Sequence, residues 1–440
     1  MTASLSERQQ SPCLTPNDCA VHVSDLLIPN PEIDLYHWSV IACDQHTSEP
    51  EYWDQTAEIV GERASTLHMI LPEVYLERPS NVPLQQRIQA THLAMHRYLK
   101  QSVLRAPGTG CILIERQTPQ HQQRLGLVLT VDLEHYDYAP GNQSLIRATE
   151  ETVESRIPPR MAIREKAPLE LSHVQLLIDD RAKSVIEPLY QAALNLAVEP
   201  VYQTGLMQNG GSVKGWFFSG QNPHLVKSID ALQQLDSLKQ YGLMMAVGDG
   251  NHSLATAKAH WDRLKHHVSD HHPARFAMAE LVNLYDPGLA FEPIHRLVSG
   301  ISLNDFMDAM SRFFRSAKAS WHPENHSHEK SLNHVLTTLL AKEGTWVFAV
   351  ETLPDLPVAQ IQSFLDDLSV RQSVKIDYIH GDDALQQLAA KGSIGLVLPA
   401  LKKHDLFPYI AKNSLLPRKT FSLGEANEKR YYMECRLISV

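Results

Sequence analysis

Hydrophobic and polar positions follow two rhythms along the chain, one suited to strands and the other to helices. Short apolar runs bounded by polar clusters recur at Trp38 to Cys43, Cys111 to Glu115, Leu125 to Asp132, His173 to Asp179, Leu243 to Val247, Thr345 to Val350 and Ile394 to Leu398. Runs of about 4–8 such residues predict buried strands. The second and third are separated by a Gln- and His-rich polar stretch and read as a pair. Longer segments with apolar residues three or four apart predict helices over Glu51 to Arg63, Pro83 to Val103, Leu254 to His267, Ser302 to Arg315 and Ser331 to Lys342. Asn209-Gly210-Gly211 reads as a turn ahead of a strand through Lys214 and Trp216. No internal repeat or low-complexity block interrupts this order. The pattern predicts a mixed α/β (α+β) fold. A flexible arm over 1–20 would precede a main part over 21–300, with a smaller part over 301–440 packed on it.

Composition narrows the class. The chain has 440 residues, of which 43% are hydrophobic and 20% charged, enough to bury a core without staples. That excludes disordered, collagen-like and disulfide-framework chains. Fifty acidic residues against 40 basic ones leave a net charge of −10, which argues against a broad basic face for nucleic acid. Five cysteines, Cys13, Cys19, Cys43, Cys111 and Cys435, are few and widely spaced, and read as free thiols. Met1 to Thr15 has no apolar core of a signal peptide, and no window has the ~18–20 apolar residues of a membrane span. The expectation is a cytoplasmic protein whose partner is a small anionic metabolite, with neither nucleic acid nor membrane.

The sharpest chemical signal is Val247-Gly248-Asp249-Gly250-Asn251-His252-Ser253. A strand feeding a glycine-punctuated turn and then a helix makes an anion cradle. Glycines let the backbone approach a phosphate, while free N–H groups and the helix dipole favour negative charge. Asp249, Asn251 and His252 project from this one turn, so carboxylate, amide and imidazole converge. A plain turn capped by Asp or Asn fits the same letters. Two-metal phosphatases also use Gly-Asp and Gly-Asn-His fragments, but on separate turns that bracket ions ~3.5–4 Å apart.

Arg147, Arg156, Arg160 and Arg164 form a second constellation, with Thr149, Glu150 and Thr152 between the first two. Pro158-Pro159 argues against one continuous helix here, so the four-residue spacing is not read as a helical face. An extended path still offers guanidinium forks for phosphate or carboxylate. Glu150, a carboxylate beside cations, is suited to take a proton from a hydroxyl. The structural alternative is a solvated stretch balanced by Glu150, Glu151, Glu154 and Glu165. Asp44-Gln45 and Glu292-Pro293-Ile294-His295-Arg296 are polar segments beside apolar runs and, taken alone, read as structural. His266, His267, His271, His272, His322, His326 and His328 lack cysteine or paired carboxylates at ligand spacing and read as surface histidines.

An ordered series of motifs then resembles the DUF1015 family of bacterial and archaeal proteins. It comprises Ile41-Ala42-Cys43-Asp44-Gln45, Glu51-Tyr52-Trp53, Leu71-Pro72-Glu73-Val74-Tyr75-Leu76-Glu77, Ile146-Arg147-Ala148-Thr149-Glu150, the Asp249 turn, Phe291-Glu292-Pro293-Ile294-His295-Arg296 and Pro417-Arg418-Lys419-Thr420-Phe421. That family is similar to the ParB/sulfiredoxin-like superfamily and its free-serine kinases. The resemblance implies a ParB/sulfiredoxin-like core with an additional α/β C-terminal part. The superfamily's Asp-Gly-His-His-Arg signature, a nucleotide-phosphate site opening a helix, stands here as Asp249-Gly250-Asn251-His252-Ser253. Asn251 replaces a histidine and Ser253 an arginine, so Arg147, Arg156 or Arg296 would have to supply the missing fork. A His-Glu-x-x-Thr-like segment is matched by Thr149-Glu150-Glu151-Thr152, which makes Glu150 the implied base. His295-Arg296 and Lys419 match further family positions. Association of family genes with serine synthesis implies serine or phosphoserine as ligand class.

Two functions are compatible with these residues. The first is phosphoryl transfer on a small hydroxy or amino acid or its phosphate, in the kinase or phosphatase direction. Glu150, Asp249 and His252 would be catalytic. Gly248, Gly250, Asn251 and Ser253 would cradle phosphate, joined by Asp44, Gln45, Arg147, Arg156, His295, Arg296 and Lys419. Mg²⁺ would sit on Asp44 and Asp249, with ATP or ADP as nucleotide. The second function is a non-catalytic sensor of an anionic metabolite or nucleotide.

Overall fold

The computed structural model describes residues 20–76, 82–121, 123–323 and 334–439. The arm over 1–19 with Cys13 and Cys19, together with Glu77, His326 and His328, lies outside them. The fold is mixed α/β. Residues up to Leu289 together with Glu425–Val440 make one compact unit, and Ala290–Gly424 make the second. The C-terminal stretch therefore rejoins the first unit, where the sequence pattern kept it with the smaller part. Its reason is chemical: Arg430 and Arg436 find buried carboxylate partners there, Glu280 at 3.0 Å and Glu170 at 2.7 Å.

An 11-stranded sheet organises the first unit. Its path runs Tyr136–Asp137, Ile146–Arg147, Met245–Asp249, Gln175–Ile178, Phe276–Asn283, Arg124–Asp132, Leu104–Gln117, Gly211–Ser219 and Tyr202–Leu206. Most neighbours are antiparallel, but Met245–Asp249 runs parallel to Ile146–Arg147, with Ala246 opposite Arg147. Thr149 and Glu150 thus leave the sheet at the same end as Asp249.

The period of two divides the apolar residues between the sheet's two faces. Leu125, Leu127, Leu129 and Val131 enter one core, and Val128 the other. Helices Glu187–Asn195, Pro223–Leu232 and Asn251–Leu264 cover the first face. Pro50–Val60, Leu84–Lys100 and the C-terminal segment with Tyr432 and Met433 cover the second. Since both faces are covered, Arg124–Asp132 is buried along its whole length.

Three local expectations are corrected. The apolar run from Trp38 to Cys43 is no strand of the sheet. Leu35–Trp38 is one helical turn, and the residues beyond it are extended against the C-terminal segment, Ile41 bridging Tyr431. Ile157–Arg164 is a helix despite Pro158-Pro159, because the prolines occupy its first turn, where an N–H has no intrahelical acceptor. The expected helix over Ser331 to Lys342 is instead the strand His334–Ala341, paired as a hairpin with Gly344–Val350. Val335, Thr337 and Thr338 are β-branched, and Leu336 and Leu339 are buried in the pleat.

The second unit carries a seven-stranded antiparallel sheet. Phe291–Ser299 lies within it, between Ile394–Val397 and Lys375–His380. Helices Leu303–Phe313 and Pro357–Arg371 pack through Phe306 and Phe364, whose rings meet edge-on at 5.4 Å.

Candidate functional site

Strand Met245–Asp249 ends at Gly250, which takes φ +78° and serves as N-cap of helix Asn251–Leu264. A Cβ at Gly250 would lie 3.0 Å from Val174 Cα, so left-handed backbone and close approach both require glycine. Gly250 provides no side-chain cap for the first-turn amides, which lie at the positive end of the helix dipole. The Asp249 carboxylate turns back instead. Its Oδ1 accepts the Gly250 N–H at 2.9 Å, and its Oδ2 lies 3.1 Å from Lys429 Nζ. Lys429 is buried and arrives on the C-terminal segment.

Beside this turn His173 acts as a hub. Its Nδ1 is 2.8 Å from the Tyr432 hydroxyl, and its Nε2 is 3.1 Å from Ser253 Oγ and 3.5 Å from Asp44 Oδ2. Burial works against a charged ring, but Asp44, Cys43 and Asp249 outweigh it and push His173 up to about 10. Both ring nitrogens therefore donate, and the group is an imidazolium at neutral pH. Burial alone would raise Asp44, yet His173, the Gln45 amide and Lys429 hold its carboxyl below the usual value. Gln45 donates to Asp44 Oδ1 at 2.9 Å. Asp44, Gln45, Gly248, Asp249, Gly250 and Ser253 thus come together, around two cations that the sequence pattern did not single out.

The loop bearing Glu150 is clasped to the same helix. Thr149 Oγ1 donates to the Val247 carbonyl at 2.7 Å, and Asn251 faces the Thr149 backbone and hydroxyl at 3.4 Å. His252 Nε2 accepts the Val153 N–H at 3.1 Å. Asn251 and His252 thereby fasten the loop to the helix. His252, expected as a proton carrier, is committed to a backbone amide. Glu150 is half-buried on the fastened loop.

The arginines divide. Arg147 is buried at the far end of the strand from Asp249, where its Nε donates to the Ser144 carbonyl at 3.0 Å and Nη2 to that of Tyr241 at 3.1 Å. It braces the backbone and is no phosphate clamp. Arg156 is exposed at the start of helix Ile157–Arg164. Arg160 and Arg164, one turn apart on that helix, pair with Glu73 and Glu170 on the wall of a cavity of about 130 Å³. Cys43, His173, Ser253 and Tyr432 line it as well.

His295, Arg296 and Lys419 belong to the second unit and have other work there. Arg296 is wholly buried, donating to the carbonyls of Ile294, Lys419 and Arg418 and to Gln362, with its guanidinium 4.6 Å from the Tyr378 ring centre. Lys419 is exposed with φ +55° and offers its carbonyl to Arg296. His295 bonds the Leu398 N–H and Asp382.

Asp44 and Asp249, expected to hold Mg²⁺, already face His173 and Lys429. Among the described residues no three His, Cys, Asp or Glu side chains gather as a metal centre. The donor set does not fit a resident Mg²⁺. No helix among the described residues is long and apolar enough to cross a membrane.

Sequence reasoning missed His173, Lys429 and Tyr432. The first looked like the opening residue of a buried strand. The other two stand in the run Lys429-Arg430-Tyr431-Tyr432, whose one local signal is two cations followed by two tyrosines.

Among solved structures, a free serine kinase in complex with AMP is similar at 9% identity and TM-score 0.36, over 71% of this chain and 88% of that one. SbnI with a C-terminal truncation, from Staphylococcus aureus, is similar at 9% identity and TM-score 0.37, over 68% and 82%. A conserved hypothetical protein from Pyrococcus furiosus gives 9% and 0.33, over 70% and 90%. No curated protein matches the chain. A family model, described as protein of unknown function (DUF1015), matches residues 26–370. The chain belongs to the DUF1015 family.

Proposed function

We propose that the protein transfers a phosphoryl group to or from a small hydroxy or amino acid, of the serine and phosphoserine class. One observation carries the reading: the helix Asn251–Leu264 begins without a side-chain cap beside Lys429 Nζ, itself 3.1 Å from Asp249 Oδ2. Phosphoryl transfer needs positioning and neutralisation of oxygen charge more than covalent help from the protein. The helix amides, Lys429 and the His173 imidazolium supply that charge. Asp249 and Asp44 hold the two cations in place. Glu150 takes the proton of the attacking hydroxyl, whose oxygen bonds to phosphorus as the bond to the leaving oxygen breaks. In the kinase direction ATP or ADP is the donor; in the phosphatase direction water attacks.

A sensor of an anionic metabolite is the second reading. It is favoured by His252, whose Nε2 already accepts the Val153 N–H, which removes one acid–base group from the turn. The test incubates the protein with L-serine plus ATP or ADP, and separately with O-phospho-L-serine, with Mg²⁺ as the phosphates' counter-ion. Transfer or phosphate release is expected, and Lys429→Met should lower it by about 10²–10³-fold. Binding of these compounds without turnover leaves the sensor. Turnover unchanged in Lys429→Met removes the turn from the mechanism.

A further inference from the structure

The C-terminal segment enters the site as an extended stretch laid against the residues before Asp44. The Ala42 N–H donates to the Arg430 carbonyl and the Tyr432 N–H to the Val40 carbonyl, each at 2.8 Å, with Ile41 bridging Tyr431 between them. Successive side chains of an extended chain point to opposite sides, so the two tyrosines part company. Tyr431 turns to Met207, whose carbonyl accepts its hydroxyl at 3.0 Å. Tyr432 turns to His173 and is buried there.

The Tyr432 hydroxyl meets two nitrogens at that place. The Cys43 N–H donates to it at 3.1 Å, and His173 Nδ1 lies 2.8 Å away. A hydroxyl oxygen has lone pairs enough for both donors. Burial first, and then Cys43, push this hydroxyl well above its usual range, so it stays neutral and serves as an acceptor rather than a counter-ion. The two rings meet edge-on, their centres 6.0 Å apart. At the far side of the imidazole, Nε2 lies 3.1 Å from Ser253 Oγ and 3.5 Å from Asp44 Oδ2. A ring engaged at both nitrogens cannot turn about its axis without losing both partners. Bonds from a charged donor are also roughly twice as strong as neutral ones.

We infer that Tyr432 is a positioning residue of this site: its hydroxyl, itself fixed by the Cys43 N–H, accepts the His173 Nδ1–H and so aims Nε2 at Ser253 and Asp44. The inference deepens the phosphoryl-transfer reading and rests on it for the turnover arm of the test alone. One hydroxyl then ties together stretches far apart in sequence, the Cys43-Asp44 loop and His173, which reaches on to the first turn of helix Asn251–Leu264. Lys429 arrives three residues earlier on the same segment, so the positions of both cations follow from where that segment lies. The titratable groups that act on His173 are Asp44, Cys43 and Asp249, beside the Tyr432 hydroxyl that it touches. Glu73 faces both His173 and Asp44, and Lys429 acts on Asp44.

The experiment compares Tyr432→Phe with Tyr431→Phe. Each removes one buried hydroxyl from the same segment, and only the first of these hydroxyls meets His173. The ring nitrogens of His173 are followed by NMR through the neutral and alkaline range. In Tyr432→Phe the ring should titrate about one pH unit or more below the wild type, because a charged donor has lost its acceptor. Tyr431→Phe should leave that titration in place even where it lowers the unfolding midpoint. Where the protein turns over serine with ATP or ADP, or phosphoserine, the alkaline limb of its pH–rate profile should move down by the same interval in Tyr432→Phe alone. An unmoved titration in Tyr432→Phe, or an equal movement in both variants, overturns the inference. Should Tyr432→Phe not fold, the wild type decides: Nδ1 of His173 should carry a proton at mildly alkaline pH, and a bare Nδ1 overturns the inference. A titration that moves in a protein without turnover defeats only the phosphoryl-transfer reading.

Discussion

His173 in the first unit and His295 in the second are both buried, and each has a carboxylate close by, yet their pKa values are shifted in opposite directions. The His295 Nε2 is 2.7 Å from Asp382 Oδ1, closer than the 3.5 Å between His173 and Asp44. Burial nevertheless lowers His295, with Asp382 opposing, while His173 rises to about 10. Cys43 and Asp249 join Asp44 in raising His173, whereas Arg296 joins burial in lowering His295, and the other ring nitrogens differ as well. His295 Nδ1 accepts the Leu398 N–H, which a protonated ring cannot do, whereas His173 Nδ1 faces a hydroxyl able to accept. Asp382 is also 78% exposed against 23% for Asp44, so water screens its charge. The same contrast separates the arginines. Arg296 satisfies its fork on backbone carbonyls, while the buried Nε and Nη2 of Arg164 have no hydrogen-bond acceptor among the described residues.

The sharpest way to break this contrast is to remove the saturated guanidinium. Arg296→Met strands the carbonyls of Ile294, Arg418 and Lys419, and at about 1–3 kcal/mol for each unmet group should destabilise the second unit by on the order of 3 kcal/mol or more. Denaturant unfolding measures it, and a loss under about 1 kcal/mol would remove Arg296 from the scaffold.

A second prediction concerns pH. His173 is raised from 6.5 to about 10 on folding, so its stabilising contribution is complete below pH 6.5 and disappears as pH rises through about 10. His295 is lowered, so its contribution is present above pH 6.5 and declines as pH falls below that value. Ring resonances followed by NMR should show His173 charged at pH 8 and His295 neutral at pH 7. His173→Gln should flatten the alkaline limb of a stability profile. A His173 ring that titrates near 6.5 abolishes the distinction.

The smallest effect is expected at His252. The hydrogen bond that its Nε2 accepts from the Val153 N–H predicts that His252→Ala costs about 1 kcal/mol and lowers turnover less than tenfold. A loss of several hundredfold per folded molecule would restore it as a proton carrier.

The legible parts of the molecule are those whose causes are local. Leu125 to Asp132 was readable as a strand because alternate residues fill two cores, and the Asp249 turn because its glycine is needed at a positive φ. The strand His334–Ala341 was misread because its helix-like apolar spacing gave way to a hairpin partner. Within the site, residue types were legible at Asp44, Asp249 and Ser253. Roles were not, since Arg147 and His252 are engaged by backbone groups that no spacing rule shows.

The amino-acid sequence by itself determined the α/β class, the strand-turn-helix at Asp249 and a net charge of −10. Each follows from periodicity, from glycine conformation or from a sum of charges, and none requires knowing what lies opposite. Tertiary structure alone decided that Lys429 and Tyr432 return from the end of the chain to meet Asp249 and His173. It also assigned His295 and Arg296 to the second unit and left two buried N–H groups of Arg164 without an acceptor among the described residues. Charge state and hydrogen-bond satisfaction depend on groups distant in sequence and close in space, and packing is what brings those groups together.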